Sequence, residues 1–120
     1  MTLKITTKDE DVMVVVSLEG RLVLGQETND LRAKVKALLS EGKKNIVLSL
    51  LNVTFIDSSG IGVLVAAHAS AKAAGAALQL CDLGPRFSEL MQVTKLFTIF
   101  EIYDSEHEAY RALSSKASKA

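Results

Sequence analysis

The stretch Ile46-Val47-Leu48-Ser49-Leu50-Leu51-Asn52-Val53-Thr54-Phe55-Ile56-Asp57-Ser58-Ser59-Gly60-Ile61-Gly62 joins an apolar run to a polar tip and then to a helical pattern. Ile46 to Leu51 shows little polar alternation, as expected of a central strand buried on both faces. Phe55 and Ile56 carry the chain on to Asp57-Ser58-Ser59-Gly60. An Ala-rich helix is predicted from there through Ala74, with Ile61, Leu64, Val65, His68 and Ala69 on one side and Gly75 closing it. A buried strand feeding a helix is the repeating unit of a sheet covered by helices.

Toward the N-terminus, Leu3, Ile5 and Thr7 alternate with Lys4, Thr6 and Lys8, which predicts a half-buried strand. Asp9-Glu10-Asp11 reads as a polar turn and Val12 to Leu18 as a second strand, so the two form an antiparallel hairpin ended by Gly20. A loop runs through Gly25. Leu31, Val35, Leu38 and Leu39 then share one face of a helix from Gln26 to Glu41, with Gly42 at its C-terminal cap. Toward the C-terminus, Leu78 to Cys81 form a strand. Pro85 opens a helix that buries Phe87, Leu90 and Met91. Phe97 to Tyr103 form the last strand, and Ser105 with Glu108 makes a capping box that starts the final helix. Residues 114–120 are small and polar, the composition of a frayed tail. The fold class is α/β, a mixed sheet of about five strands with an N-terminal hairpin, covered by about four helices. Residues 1–120 make a single domain without linker or repeat.

Composition narrows the function classes. Apolar residues make up 48% of the 120 positions and aromatics only 5%, so the core must be built from Val, Ile, Leu and Ala. Fourteen basic and fourteen acidic residues cancel, which argues against direct nucleic-acid binding or a polybasic membrane patch. Cys81 is the only cysteine, which excludes an internal disulfide and argues against a zinc site. The first residues enter a strand pattern without a secretory leader, and no apolar run approaches the about 18 residues of a membrane span. The expected compartment is the cytoplasm.

The polar tip carries two readings. Asp57, Ser58 and Ser59 stand where a helix begins, and such residues commonly cap the free N–H groups of a first turn. The same N-terminus can accommodate a phosphate or present a serine to another enzyme. Gly60 and Gly62 keep the first turn sterically open.

Phe55-Ile56-Asp57-Ser58-Ser59-Gly60-Ile61-Gly62 resembles the signature of the STAS domain, as found in bacterial anti-sigma factor antagonists. The likeness extends to the opening hairpin, Gly20, Ile46-Val47-Leu48, Gly75 and Lys95-Leu96-Phe97. It implies a non-catalytic chain that binds an anti-sigma factor with serine kinase activity and so frees a sigma factor. Ser58 would be the residue phosphorylated to switch binding off, and a phosphatase would reset it. Asp57, Ser58, Ser59, Gly60, Ile61 and Gly62 would form the partner surface. Asp57 would orient the loop, Ser59 would cap the helix, and the two glycines would admit the partner backbone. The chain would need no cofactor or metal, because nucleotide and Mg²⁺ come with the kinase.

One loop departs from the family. Many members carry Gly-Glu-Leu-Asp after the second strand, where this chain has Gly20-Arg21-Leu22-Val23. Arg21 and Val23 therefore point to a partner contact of different charge, with Leu24 beside them. An alternative reading keeps the domain but makes it a fixed docking subunit of a signalling scaffold or lipid-transport complex. A small hydrolase using Ser58 is a third, though Gly-x-Ser-x-Gly is absent and neither His68 nor His107 has a triad context. Gly60-Ile61-Gly62 lacks the third glycine of a dinucleotide fingerprint, since Val65 stands there. Cys81 reads as a core residue, and Lys34, Lys36, Lys43 and Lys44 as a solvated helix end.

Overall fold

The computed structural model describes residues 3–118. Strand β1 (Lys4–Glu10) pairs antiparallel with β2 (Met13–Leu22), from Lys4 opposite Glu19 to Glu10 opposite Met13. The expected hairpin is present with a tighter turn. Asp9 and Glu10 stay in the ladder, and Asp11 takes the left-handed conformation (φ 48°) that short acidic side chains tolerate. β2 does not stop at Gly20, as its glycine suggested. Gly20 adopts φ 114° within the strand, which continues to Leu22.

Helix α1 (Gln26–Ser40) leads into β3 (Asn45–Ile56), α2 (Ser58–Ala73) and β4 (Ala77–Cys81). Helix α3 (Pro85–Val93), a single 3-10 turn at Leu96–Thr98, β5 (Glu101–Tyr103) and α4 (Glu106–Ser118) complete the order. The sheet runs β1-β2-β3-β4-β5, parallel except for the hairpin. The mixed five-stranded sheet with four helices agrees with the sequence reading.

Alternation along the strands divides the core into two layers. Val14, Val16, Leu18, Ile46, Leu48, Leu50, Leu78 and Leu80 pack beneath α1, α2 and α3, meeting Leu31, Val35, Leu64, Ala67, Phe87 and Met91. Met13, Val15, Val47 and Cys81 face the other way, against Ala109 and Leu113 of α4. Removing one of the fully buried leucines, such as Leu48, to alanine costs about 2–5 kcal/mol.

Three local expectations are corrected. Phe97 to Tyr103 is not one strand, because Lys95 turns left-handed (φ 61°), the 3-10 turn follows, and only Glu101–Tyr103 pair with β4. The inward face of α2 is Gly60, Val63, Leu64, Ala67 and Ala71, whereas Ala69 is exposed and Ile61, Val65 and His68 are half-buried. Leu51 is 67% exposed, so the doubly buried part of β3 ends at Leu50. Ser105 caps α4 as expected, its Oγ accepting from Glu108 N at 3.1 Å. That helix continues to Ser118, into the stretch expected to fray; residues 119 and 120 lie outside the described residues.

Candidate functional site

β4 ends opposite Ser49, yet β2 and β3 continue together to the pair Leu22–Ile56. The site sits at the tip of this two-stranded extension. Its ladder is irregular twice. From Ser17 to Glu19, β2 advances two residues while β3 advances three, from Ser49 to Asn52. From Gly20 to Arg21 it advances one against two, from Val53 to Phe55. Each extra residue shifts the side-chain alternation and re-aims the side chains beyond it. Val53 and Ile56 consequently pack on the core while Phe55, 48% exposed, lies opposite Arg21. The Arg21 guanidinium stands over the Phe55 ring, 5.1 Å from its centroid.

Asp57 closes the extension and opens α2. Its backbone is extended (φ −108°, ψ −176°), its N–H donates to Leu22 O at 3.3 Å, and its C=O accepts from Ile61 N. One carboxylate oxygen, Oδ1, accepts from Gly60 N at 2.8 Å and so caps the helix. The other, Oδ2, accepts from Leu24 N at 3.0 Å, in the β2–α1 loop. These N–H groups, Leu24 first and Gly60 second, hold the carboxyl below its ordinary range. Asp57 is therefore a fixed anion joining two segments.

The capping role expected of Ser59 thus belongs to Asp57. Ser59 is half-buried in the first turn. Ser58, the first residue of α2, is exposed, and its hydroxyl has no hydrogen bond within the described residues. The two glycines differ in purpose. A Cβ on Gly60 would lie 2.3 Å from Leu22 O and 2.7 Å from Ile56 Cγ1, so Gly60 admits the chain's own backbone rather than a partner's. A Cβ on Gly62 would meet nothing within 4 Å. Gly60 is buried and Ile61 half-buried against the core, so both turn inward; Asp57, Ser58 and Gly62 remain at the surface.

Arg21 is exposed and Val23 half-buried, while Leu24 is 75% exposed at the loop tip. The sequence reading missed two features here, the Leu24 N–H as the second ligand of Asp57 and the outward Phe55. No local signal marks the first. The second needed the double shift in register. His68 lies ten residues along α2 from Ser58, about 15 Å at the helical rise, too far to activate its hydroxyl. No group of three or more His, Cys, Asp and Glu positioned to hold a metal occurs among the described residues. No helix among them is long and apolar enough to cross a membrane.

A family profile for the STAS domain matches residues 4–109, and the chain belongs to that family. Among curated relatives, the anti-sigma F factor antagonist of Paenibacillus polymyxa is 33% identical over 115 residues, covering 94% of this chain and 97% of that one. A crystal structure from Thermotoga maritima, 25% identical, superposes with a TM-score of 0.84 over 92% of this chain and 94% of the other. The Bacillus protein SpoIIAA in its phosphorylated form, 21% identical, shares the fold with a TM-score of 0.70 over 91% of this chain and 99% of that one.

Proposed function

We propose that this protein is an anti-sigma factor antagonist. It binds an anti-sigma factor through the tip of the β2–β3 extension, the β2–α1 loop and the first turn of α2, and thereby releases a sigma factor. Ser58 is the switch. The serine kinase activity of the anti-sigma factor transfers the γ-phosphoryl group of ATP to Ser58 Oγ, the hydroxyl proton leaves to a base on the kinase, and the phosphorylated chain no longer binds. A phosphatase restores the hydroxyl. The chain is acceptor and ligand rather than catalyst, holds no cofactor, and works in the cytoplasm with its partner.

The observation that carries this reading is the division of labour at the start of α2. Asp57 takes the cap through Gly60 N, which leaves the Ser58 hydroxyl exposed and unbonded at the first helical position. A hydroxyl engaged in capping would have to be released before reaction. The 33% identity to a protein named for this activity supports the partner class. Arg21, Val23 and Leu24 would give the contact its particular charge and shape. The test is incubation of the chain with its anti-sigma factor, Mg²⁺ and ATP, followed by phosphosite mapping. Phosphate at Ser58 with dissociation of the complex supports the reading. A stable complex without phosphate would instead make the chain a fixed docking subunit.

A further inference from the structure

Strand β1 is an edge of the sheet: β2 covers one side of its backbone, and among the described residues no strand covers the other. Ile5 and Glu10 are half-buried and the other five residues of the strand are exposed. An open edge of this length is a template for another strand. The hairpin fixes which backbone groups it offers. Glu10 and Met13 flank the two-residue turn Asp11-Val12, the position at which opposed residues exchange hydrogen bonds. Lys8, Thr6 and Lys4 follow the same alternation and turn their N–H and C=O groups toward β2, whereas Ile5, Thr7 and Asp9 turn theirs outward.

The charges on this edge select one register. Lys8 pairs with Glu106 at 2.7 Å and Asp9 with Lys43 at 2.9 Å. Lys4 and Glu10, the two ends of the strand, form no ion pair among the described residues. An antiparallel copy of β1 laid Thr7 against Thr7 sets Lys4 opposite Glu10 at both ends. The outward backbone groups of Ile5, Thr7 and Asp9 then face those of Asp9, Thr7 and Ile5. Lys4 and Glu10 meet at non-hydrogen-bonded positions, where opposed side chains come closest. Sliding the copies by two residues sets Lys4 against Lys8 one way and Lys8 against Lys8 the other. A slide of one residue sets outward backbone against backbone already used by β2.

We propose that a second copy of this chain occupies the β1 edge, joining two five-stranded sheets across a two-fold axis through Thr7. About six backbone hydrogen bonds and two Lys4–Glu10 pairs hold the contact. Asp9 keeps its Lys43 partner beside the copy's Ile5. A single pair of edge strands is small for an interface, so the dimer is weak, with a dissociation constant of about 10–500 µM. It uses no residue of the Ser58 site and does not rest on the reading of that site.

The test is sedimentation equilibrium of the full chain at concentrations from about 10 µM to 1 mM, where the parent should pass from monomer to dimer. Lys4→Glu sets like charges opposite Glu10 at both ends, and Glu10→Lys does the same opposite Lys4. Each variant alone should associate at least about tenfold more weakly than the parent. An equimolar mixture of the two should regain the parent's association, because opposite charges then meet at both ends. Thr7→Pro removes an outward N–H without touching the β2 ladder, so it should abolish the dimer and leave the circular dichroism unchanged. A parent that stays monomeric at about 1 mM, single charge reversals that associate as the parent does, or a mixture that stays monomeric would each overturn the proposal.

Discussion

Leu24 donates its backbone N–H to Asp57 Oδ2 at 3.0 Å, although 33 residues separate them in the chain. The same carboxylate caps α2 through Gly60 N at 2.8 Å. One side chain thus sets both the start of the helix that presents Ser58 and the position of the exposed Leu24 tip. Asp57→Asn keeps an oxygen for Gly60 but puts an amide where Leu24 needs an acceptor. Hydrogen exchange at the Leu24 amide should accelerate by about tenfold in this variant while α2 stays protected. Unchanged exchange at Leu24 would show that the loop is held by other contacts.

Asp57 also predicts a pH dependence. Its carboxyl is held below the ordinary carboxylate value, first by Leu24 N–H and then by Gly60 N–H. The folded state therefore releases this proton more readily than the unfolded chain, and the ionised group favours folding. That contribution is fully present above the ordinary carboxylate range and is lost as pH falls through the depressed folded value. Urea unfolding from pH 6 to pH 3 should show the stability gap between the parent and Asp57→Asn constant at first, then closing at the acid end. A gap that widens as pH falls would contradict this.

Ser58→Ala should leave thermal stability within about 0.5 kcal/mol of the parent, because the hydroxyl caps nothing. It should still bind the anti-sigma factor and should take up no phosphate. Ser58→Asp should fold and bind about a hundredfold more weakly, as a second anion beside Asp57 meets the partner surface. Ser59→Ala should remain a substrate. Phosphate mapped to Ser59 would displace Ser58 from its assigned role.

The two glycines of α2 should respond in opposite directions. Gly60→Ala forces a methyl to within 2.3 Å of Leu22 O and should destabilise the fold by about 3 kcal/mol. Gly62→Ala meets open space and should stabilise the helix by about 0.5–1 kcal/mol. Chemical denaturation of both variants measures the contrast directly.

Cys81 is buried in the layer beneath α4, and its thiol is pushed up to about 12 by burial, reinforced by the Asp82 carboxylate 3.4 Å from Sγ. At neutral pH the reactive thiolate is almost absent. A thiol reagent such as dithionitrobenzoate should react with the native chain only at the rate of its opening, and rapidly once urea unfolds it. Fast labelling of the native chain would mean that α4 does not cover this face.

Much of this protein is legible in its sequence because the governing interactions are local. Strand alternation at Leu3–Thr7, the helical spacing of Leu31, Val35 and Leu38, and the Ser105–Glu108 cap each lie within a few residues and report their own element. The stretch from Phe55 to Gly62 likewise marks the site by its residue types. Helix α2 shows where local reading stops. It is apolar on nearly all sides, so its periodicity points nowhere, and packing against α1 and the sheet selected Val63, Leu64, Ala67 and Ala71. The end of β3 depends on partners even more. Phe55 faces outward only because β3 holds two residues more than β2 across their shared ladder, a property of the pair and not of either strand. Ser58 is free because Asp57 reaches Gly60, and Asp57 is fixed because Leu24 reaches back from another loop. Residue type determined that a serine would stand at this helix start. Long-range hydrogen bonding, which requires the assembled sheet to bring distant backbone together, decided which serine is exposed and what surface surrounds it.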